Sequence, residues 1–546
     1  MSVRGAVLPQ LRITREDDPR VVEEAATEDY SLHVVPRTWR MSRGRLMMAW
    51  WALVTGMFYV YVAALVALTV GTGNALIGIV LAVGAYSGIN AIINRAAVES
   101  GLTVALFSRG MFGFLGAGFA TIIFAATAIY YFVFEGSIIA VAAQKFFADA
   151  GMSMDIKIWY LLVVALAMPL VMRGVRAWLD RLNGALLPLY GIGIVAVLVW
   201  VTSNAGGYDG GWAHLGPEQT LVQGPPWLFA FSVYMGVWIF MMYTMDFGRL
   251  GRREDLGFSS VVTFGPAFYV MTFLVNGLIG IYLVDALGIK QLGEGQLATA
   301  IVGVTGVVGL LLILITQTRI NTANLYLAST NLQSFGSRML NLNLPRPAWV
   351  LIAGAISYLI MLTNVFSFIL DALAYQGIAI VVWVGMALVH IAYVRRTVGL
   401  ANVEFRPGRV PAVNPGGLGV AIIATVLGVV LKLSDPAFSG TWGLPLVFVV
   451  AATLYAAVLR VAPERWFVLT RPADPLHEVD DPWEDRVRCH ACEKSYLARE
   501  MDRDPTHGHE AVCAGCATGP AFYAAAYREA REHSHGVTAP APAPAG

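Results

Sequence analysis

The stretch Thr316-Gln317-Thr318-Arg319-Ile320-Asn321-Thr322-Ala323-Asn324 is polar between two apolar runs. Ala298 to Ile315 before it is hydrophobic enough to enter a bilayer, and Leu325 to Leu332 after it is apolar again. A membrane helix keeps an arginine, two asparagines and three threonines only where they face protein, water or a ligand, because lipid satisfies none of them. Two readings follow. In one, the helix ends near Thr316 and the patch is cytosolic, since the run from Ala298 is long enough to span by itself. In the other, the helix continues and the patch is a polar binding site inside a polytopic membrane protein. The renewed apolar run favours the second.

Composition agrees. Hydrophobic residues make up 57% of the 546-residue chain and charged ones 13%, well under the roughly 25% charged of soluble domains. Mean hydropathy is +0.64. A net charge of +1 gives no reason to expect nucleic acid. Residues 1–45 are polar and arginine-rich, without the apolar core and small-residue cleavage site of a secretory signal; they read as a cytosolic tail.

Apolar stretches of about 20 residues begin near Met47, Asn74, Phe119, Ile158, Ala185, Trp227, Val261, Ile301, Ala348, Val365, Gly419 and Leu444. None alternates like a barrel strand, so an all-α protein of twelve transmembrane helices is expected. Alternate connections carry Arg95 and Arg109; Arg173, Arg176 and Arg181; Arg249, Arg252 and Arg253; Arg338 and Arg346; and Arg395, Arg396, Arg406 and Arg409. The others hold only Lys145, Lys157, Lys290 and Lys432. The positive-inside rule then puts both termini in the cytosol of a multi-pass plasma (inner) membrane protein. The expected divisions are 1–45 tail, 46–465 transmembrane region, 466–485 linker, 486–533 cysteine-bearing module and 534–546 disordered tail.

If spans one to five form a unit and six to ten a second, the odd number of crossings inverts the second unit. Such repeats break their first helices near the midplane, where ligands bind. Gly56 in span one and Gly236 in span six are the candidate break points.

Four motifs are familiar together. Met245-Asp246-Phe247-Gly248-Arg249-Leu250 resembles the Asp-aromatic-small-Arg signature of the nucleobase:cation symporter-1 family, which contains purine and cytosine permeases and allantoin and hydantoin carriers. Asn321-Thr322-Ala323-Asn324-Leu325-Tyr326, leading to Leu332-Gln333-Ser334-Phe335-Gly336, resembles that family's eighth helix. Leu106-Phe107-Ser108-Arg109-Gly110-Met111-Phe112-Gly113 resembles its Ser-Arg-x-x-Phe-Gly element, and Phe405-Arg406-Pro407 is a weaker echo. The resemblance covers roughly residues 35 to 465. It implies a five-plus-five inverted-repeat (LeuT-like) core with two extra helices, and a permease that moves its substrate by alternating access.

Tyr131 and Glu135 lie one turn apart in span three and share a face. In the family these positions hold a stacking aromatic and an edge-binding amide, so the resemblance makes both substrate-binding candidates. A mid-membrane acid costs about 2.5–3.5 kcal/mol to insert, which argues for a role; a structural pair with a neighbouring helix is the alternative. Asn324, with Asn321 one turn earlier, matches the family's substrate-binding amide. Gly236 and Trp238 fall near its second aromatic contact, although tryptophan in a membrane helix is more often packing or an interface anchor. Span one has no amide between Gly56 and Val62, only the hydroxyls of Tyr59 and Tyr61, so the substrate is expected to differ from cytosine or the common purines.

Sodium-driven relatives hold Na⁺ with backbone carbonyls and two hydroxyls of the eighth helix. Those hydroxyl positions fall here on Thr318 and Arg319. A guanidinium there would occupy the cation's seat, so sodium-independent transport is expected, with H⁺ as the coupling ion and Glu135 as its carrier. Asp246 and Arg249 read either as a gating ion pair or as a solvated surface pair worth about 0–1 kcal/mol.

All four cysteines follow the last span: Cys489-His490-Ala491-Cys492, twenty residues, then Cys513-Ala514-Gly515-Cys516. Two such knuckles are a strong four-cysteine zinc signal in a reducing compartment, over a pair of redox dithiols. His490, His507 and His509 are substitute ligands. A short helix is expected from Ala521 to His533. The family does not normally carry this module, which leaves metal sensing, a cytosolic protein partner or stabilisation of the tail as its roles.

The leading expectation is a secondary transporter importing a nucleobase or related nitrogen heterocycle, embedded in lipid. A transporter-like sensor signalling through the zinc module, and a same-fold carrier of amino acids or amines, are the alternatives. An enzyme is not expected, since the core shows no nucleophile motif, metal-ligand cluster or Walker-type loop.

Overall fold

Lipid satisfies no backbone group, so the apolar stretches close their hydrogen bonds within helices. The computed structural model describes residues 8–172, 180–204, 210–216, 222–290, 292, 295–340, 342, 344–363 and 369–537. In chain order the helices are α1 (Pro19–Glu28), α2 (Arg43–Trp50), α3 (Met57–Val70), α4 (Thr72–Ser100), α5 (Val104–Phe112), α6 (Gly118–Asp149), α7 (Ile156–Val171), α8 (Asp180–Asn204), α9 (Pro226–Met235), α10 (Ile239–Gly248), α11 (Leu256–Phe258), α12 (Pro266–Tyr269), α13 (Asn276–Ala286), α14 (Gln296–Thr305), α15 (Val307–Met339), α16 (Arg346–Met361), α17 (Ile369–Thr397), α18 (Pro415–Ser434), α19 (Pro436–Phe438), α20 (Leu444–Val461) and α21 (Pro520–Val537).

Among the described residues, eight helical stretches are long and apolar enough to cross a membrane, or up to nine if the bent pair α2–α3 is one span. The shorter α7 and α16 and the polar-centred α15 are not among them, so the expected twelve is not a count these helices supply. The span start near Val365, and Arg173 and Arg176, lie outside the described residues, as do the side chains of Arg181 and Arg338.

Both expected breaks are present. The chain bends by 44° between α2 and α3, through Leu53–Thr55, and Gly56 caps α3. A Cβ on Gly56 would sit 2.5 Å from Ile320 Cδ1 and 2.8 Å from Glu135 Oε1, so only glycine lets this turn press against α6 and α15. The second break separates α9 from α10 at Gly236, Val237 and Trp238.

Span eight departs from its expected form. The run from Ala298 is not one spanning helix: α14 has 10 residues and ends at Gly306, which has φ 60 and ψ −130. This conformation is nearly closed to residues with a Cβ. Helix α15 then runs for 33 residues, about 50 Å at ~1.5 Å per residue, and the polar patch falls near its middle. Nothing lies within 4 Å of a Cβ added at Gly306, so Gly306→Ala tests backbone strain alone. It is expected to lower stability by about 1–3 kcal/mol, read as a lower Tm in detergent; an unchanged Tm would contradict this break.

The terminal segments do not form the separate tail, linker and module expected from the sequence. Strand β1 (Ile13–Thr14) pairs antiparallel with β2 (Arg486–Arg488), which pairs with β3 (Ser495–Leu497). Strands β4 (Met501–Asp504) and β5 (Glu510–Cys513) form a second antiparallel pair. The N-terminal segment thus supplies an edge strand to the sheet whose β2–β3 connection carries Cys489 and Cys492. The expected linker is folded in as well, with Leu469, Arg471 and Ala473 buried. Helix α21 continues to Val537, and the tail from Thr538 lies outside the described residues.

Buried arginines join this terminal body to the loop between α17 and α18. Arg406 pairs with Glu404 at 2.6 Å and Asp474 at 2.7 Å and donates to the Met501 carbonyl at 2.9 Å. Asp502 pairs with Arg409 at 3.2 Å and Arg471 at 2.6 Å. Arg499 donates to the Ala401 carbonyl at 3.0 Å.

Candidate functional site

Helices α6 and α15 lie against each other along their length; Gly136 faces both neighbours, where an added Cβ would meet Asn321 Nδ2 of α15 at 3.5 Å, an ordinary contact, but crowd Met361 Cε of α16 at 2.6 Å. Residues 317, 321 and 324 recur at helical spacing and share one face of α15. Glu135 and Arg319 are 0% exposed, Asn321 and Asn324 2%, and Tyr131 5%. A cytosolic, solvated patch is ruled out by that burial.

The carboxylate of Glu135 faces Gln317 and the Phe58 amide without reaching hydrogen-bond geometry with either; both its oxygens, and both polar atoms of Gln317, lack a partner among the described residues. The Asn324 amide nitrogen donates to Asn321 Oδ1 at 3.5 Å, and the Tyr243 hydroxyl donates to Asn324 Oδ1 at 3.1 Å. Asn321 Nδ2 has no partner among the described residues. The Tyr131 hydroxyl accepts from Gln376 at 3.3 Å, and its ring meets Phe58 edge-on at 5.2 Å. Buried amides and a carboxyl with unfilled hydrogen-bond capacity, beside aromatic rings at a helix break, can bind a small polar molecule and release it at modest cost.

On the adjacent face of α15, Arg319 Nη2 donates to the Trp51 carbonyl at 2.9 Å, at the end of α2. Its Nε and Nη1 lack partners among the described residues. Thr55 Oγ1 donates to the Thr316 carbonyl at 3.0 Å. Thr316 and Arg319, three residues apart, therefore address the break together. Thr318 is only half-buried, and its side chain makes no hydrogen bond to α2 among the described residues.

The α10 side differs from expectation. Gly236 packs on α17, 3.0 Å separating its Cα from a Cβ built on Gly377. Trp238 meets Phe448 edge-on at 5.2 Å and Tyr86 at 6.5 Å. Neither joins the cluster around Glu135. The aromatic of this break that reaches span one is Phe240, 5.9 Å from Tyr59. Sequence reasoning missed Phe240, Tyr243 and Gln376, and placed Gln317 in the polar patch without singling it out. Gln317 and Gln376 had a usable signal, being amides within apolar helices; the aromatics had none.

Asp246 and Arg249 form no side-chain ion pair among the described residues, although Arg249 Nε donates to the Asp246 backbone carbonyl at 3.1 Å. Asp246 Oδ1 accepts from the Val104 amide at 2.7 Å, so it holds the start of α5. Arg249 Nη1 donates to the carbonyls of Asp29 and Tyr30 at 2.8 and 3.2 Å. Backbone groups thus take up the Asp246 carboxylate and the Arg249 guanidinium in place of an ion pair.

No family model matches the chain, and no curated protein does. Among solved structures, Mhp1, a nucleobase-cation-symport-1 family transporter, in a closed conformation with bromovinylhydantoin bound, aligns at TM-score 0.63 and 17% identity over 79% of this chain and 94% of that one. Its inward-facing form aligns at 0.62 and 16% over 78% and 93%. A Na⁺-coupled sialic acid symporter in a substrate-bound outward-open state aligns at 0.54 and 11% over 81% and 93%. The chain has the LeuT-like fold. It is an integral membrane protein, and the expected core architecture stands on this likeness together with the two helix breaks.

The terminal module brings Cys489, Cys492, Cys513 and Cys516 together, their sulfurs within 4.8 Å of one another. The Cys513 amide donates to Cys489 Sγ at 3.3 Å, the kind of outer-shell contact that stabilises a thiolate ligand. Four converging sulfurs can hold a metal ion. The substitute ligands are placed elsewhere: His490 and His507 both contact Asp504 Oδ2 at 3.0 Å, forming a second group able to hold a metal.

Proposed function

We propose that the chain is a secondary active transporter that imports a nucleobase or related nitrogen heterocycle by alternating access, coupled to H⁺ and independent of Na⁺. The observation that carries this reading is the buried cluster of Glu135, Gln317, Asn321 and Asn324 beside the Gly56 break, with hydrogen-bond capacity left unfilled. Such amides suit the paired donors and acceptors on a heterocycle's edge. Tyr131 supplies one stacking face, and Phe240 takes the second in place of Trp238. Glu135 carries the proton, since a desolvated carboxyl without a counter-ion crosses most cheaply with a proton aboard. Arg319 supports sodium independence: its guanidinium bonds the Trp51 carbonyl at the end of α2, and a fixed positive charge there repels an added cation. Zn²⁺ is the ion we assign to the four cysteines, which match its preference for closed tetrahedral thiolate sites.

A thermal-shift screen over bases, hydantoins, vitamins and amines identifies the ligand. Uptake of that ligand into proteoliposomes is then expected to follow an imposed pH gradient and to be unchanged when K⁺ replaces Na⁺. Uptake that strictly needs a Na⁺ gradient, with none for a pH gradient, would remove the coupling assignment. Binding without flux would favour a sensor.

A further inference from the structure

We propose that the four-cysteine centre is a regulatory metal site: a bound soft divalent cation holds residues 17–35 as a strap across the mouth between α5, α6, α10 and α15, and loss of the cation releases it. This rests on the carrier reading, in which that mouth is the route between the buried site and the face bearing both termini.

The strap is anchored at the cysteine knuckles. Just beyond Cys492, Arg20 donates to the Glu493 carbonyl, Lys494 pairs with Glu24, and the Ser495 amide donates to Asp18 at 3.0 Å. His33 lies against the other knuckle: a Cβ on Gly515, between Cys513 and Cys516, would be 3.1 Å from its ring. His33 also stacks on Tyr496 at 4.3 Å and bonds Glu500 at 2.8 Å. Each anchor lies on or beside a segment that the metal would order. Small modules of this kind fold on binding their ion, so metal occupancy decides whether the anchors exist as a surface.

The other side of the strap grips the helices. Arg249 donates to the carbonyls of Asp29 and Tyr30, Tyr326 donates to Asp29 Oδ2 at 3.2 Å, and Gln333 to Glu28 at 3.2 Å. Ser31 and Leu32 line a crevice with Leu106, Thr121 and Ser334. Asp29, Tyr30, Ser31, Val34 and Val35 are buried. Tyr326 lies only two residues beyond Asn324, about 3 Å further along α15, so the strap sits directly beside the candidate site on that side. Asp29 and Tyr30 both have left-handed backbones, φ 47 and φ 55. Asp29 takes it as the cap of α1, where aspartate is tolerated, but a bulky residue such as Tyr30 resists it, and docking must hold it there, so the strap is poised to leave when its anchors loosen. The contacts of Arg406 and Arg409 with the β4 side keep the module attached meanwhile, which makes the release local.

The test uses the full-length protein in proteoliposomes, loaded with Zn²⁺, stripped with a chelator, and reloaded. Amide exchange at residues 28–35 is expected to rise at least tenfold on stripping and to return on reloading, and flux of the screened ligand is expected to change reversibly with it. Cys513→Ser should lock the stripped behaviour. Protection of residues 28–35 that ignores the metal while residues 486–516 lose theirs would overturn the proposal, as would a freed strap with unaltered flux. Reversal on reloading separates release from irreversible unfolding. A strap that is freed on stripping while no ligand moves in either metal state would overturn the carrier reading and leave the metal-dependent latch standing.

Discussion

Glu135→Gln is expected to abolish accumulation driven by a pH gradient while leaving exchange of substrate across the membrane. Glutamine keeps the size of the side chain and its capacity to bond Gln317 or a ligand edge, but it cannot gain and lose a proton. One unit of pH gradient is worth about 1.4 kcal/mol per proton, enough for roughly tenfold accumulation with one proton per substrate. In the variant that factor falls to one, whereas counterflow, which needs only reorientation of the loaded carrier, continues. Concentrative uptake by Glu135→Gln would remove Glu135 as the proton carrier. Loss of both accumulation and counterflow would place it in substrate binding instead.

Arg406→Met is expected to destabilise the docking of the terminal module by about 3–5 kcal/mol, because it strands the largely buried Glu404 and leaves Asp474 with Arg409 alone, at 3.2 Å. Exchange protection across β2 to β5 reports the loss, and adding Glu404→Gln should recover part of it, since the stranded charge is then removed. The same pairs set the acid response. Burial alone would raise Glu404; Arg406 and Arg499 outweigh it and hold the carboxyl at about 2. Burial opposes and Arg406 and Arg409 likewise depress Asp474. Both sit below their unfolded values of roughly 4.3 and 3.9, so their contribution is complete above about pH 5 and fades as pH falls through the folded values. Docking should be flat between pH 5 and 8 and weaken only in stronger acid. A decline already near pH 6 would mean that other groups govern it.

The largest departures from the sequence reading share one cause. Hydropathy sees that α14 and α15 are apolar, but not that Gly306 has a backbone few other residues adopt, so two helices read as one. It likewise places Gly236 and Trp238 at a break without saying that they turn towards α17 and α20. Adjacent positions on a helix differ by about 100° in direction; one such step separates Thr318 from Arg319, and two separate Trp238 from Phe240.

Properties written locally along the chain were legible without coordinates. These are the membrane setting from long apolar runs, the break points from glycine in spans one and six, the intramembrane polar patch from its cost in lipid, and the four-cysteine cluster from paired Cys-x-x-Cys spacing. Which side chains meet was decided by folding. The pairing of Ile13 with Val487, the seat of Asp29 under Arg249, and the gathering of Gln376 with Tyr131 join segments hundreds of residues apart, and no local pattern encodes such a contact because its energy exists only once both partners have been brought together.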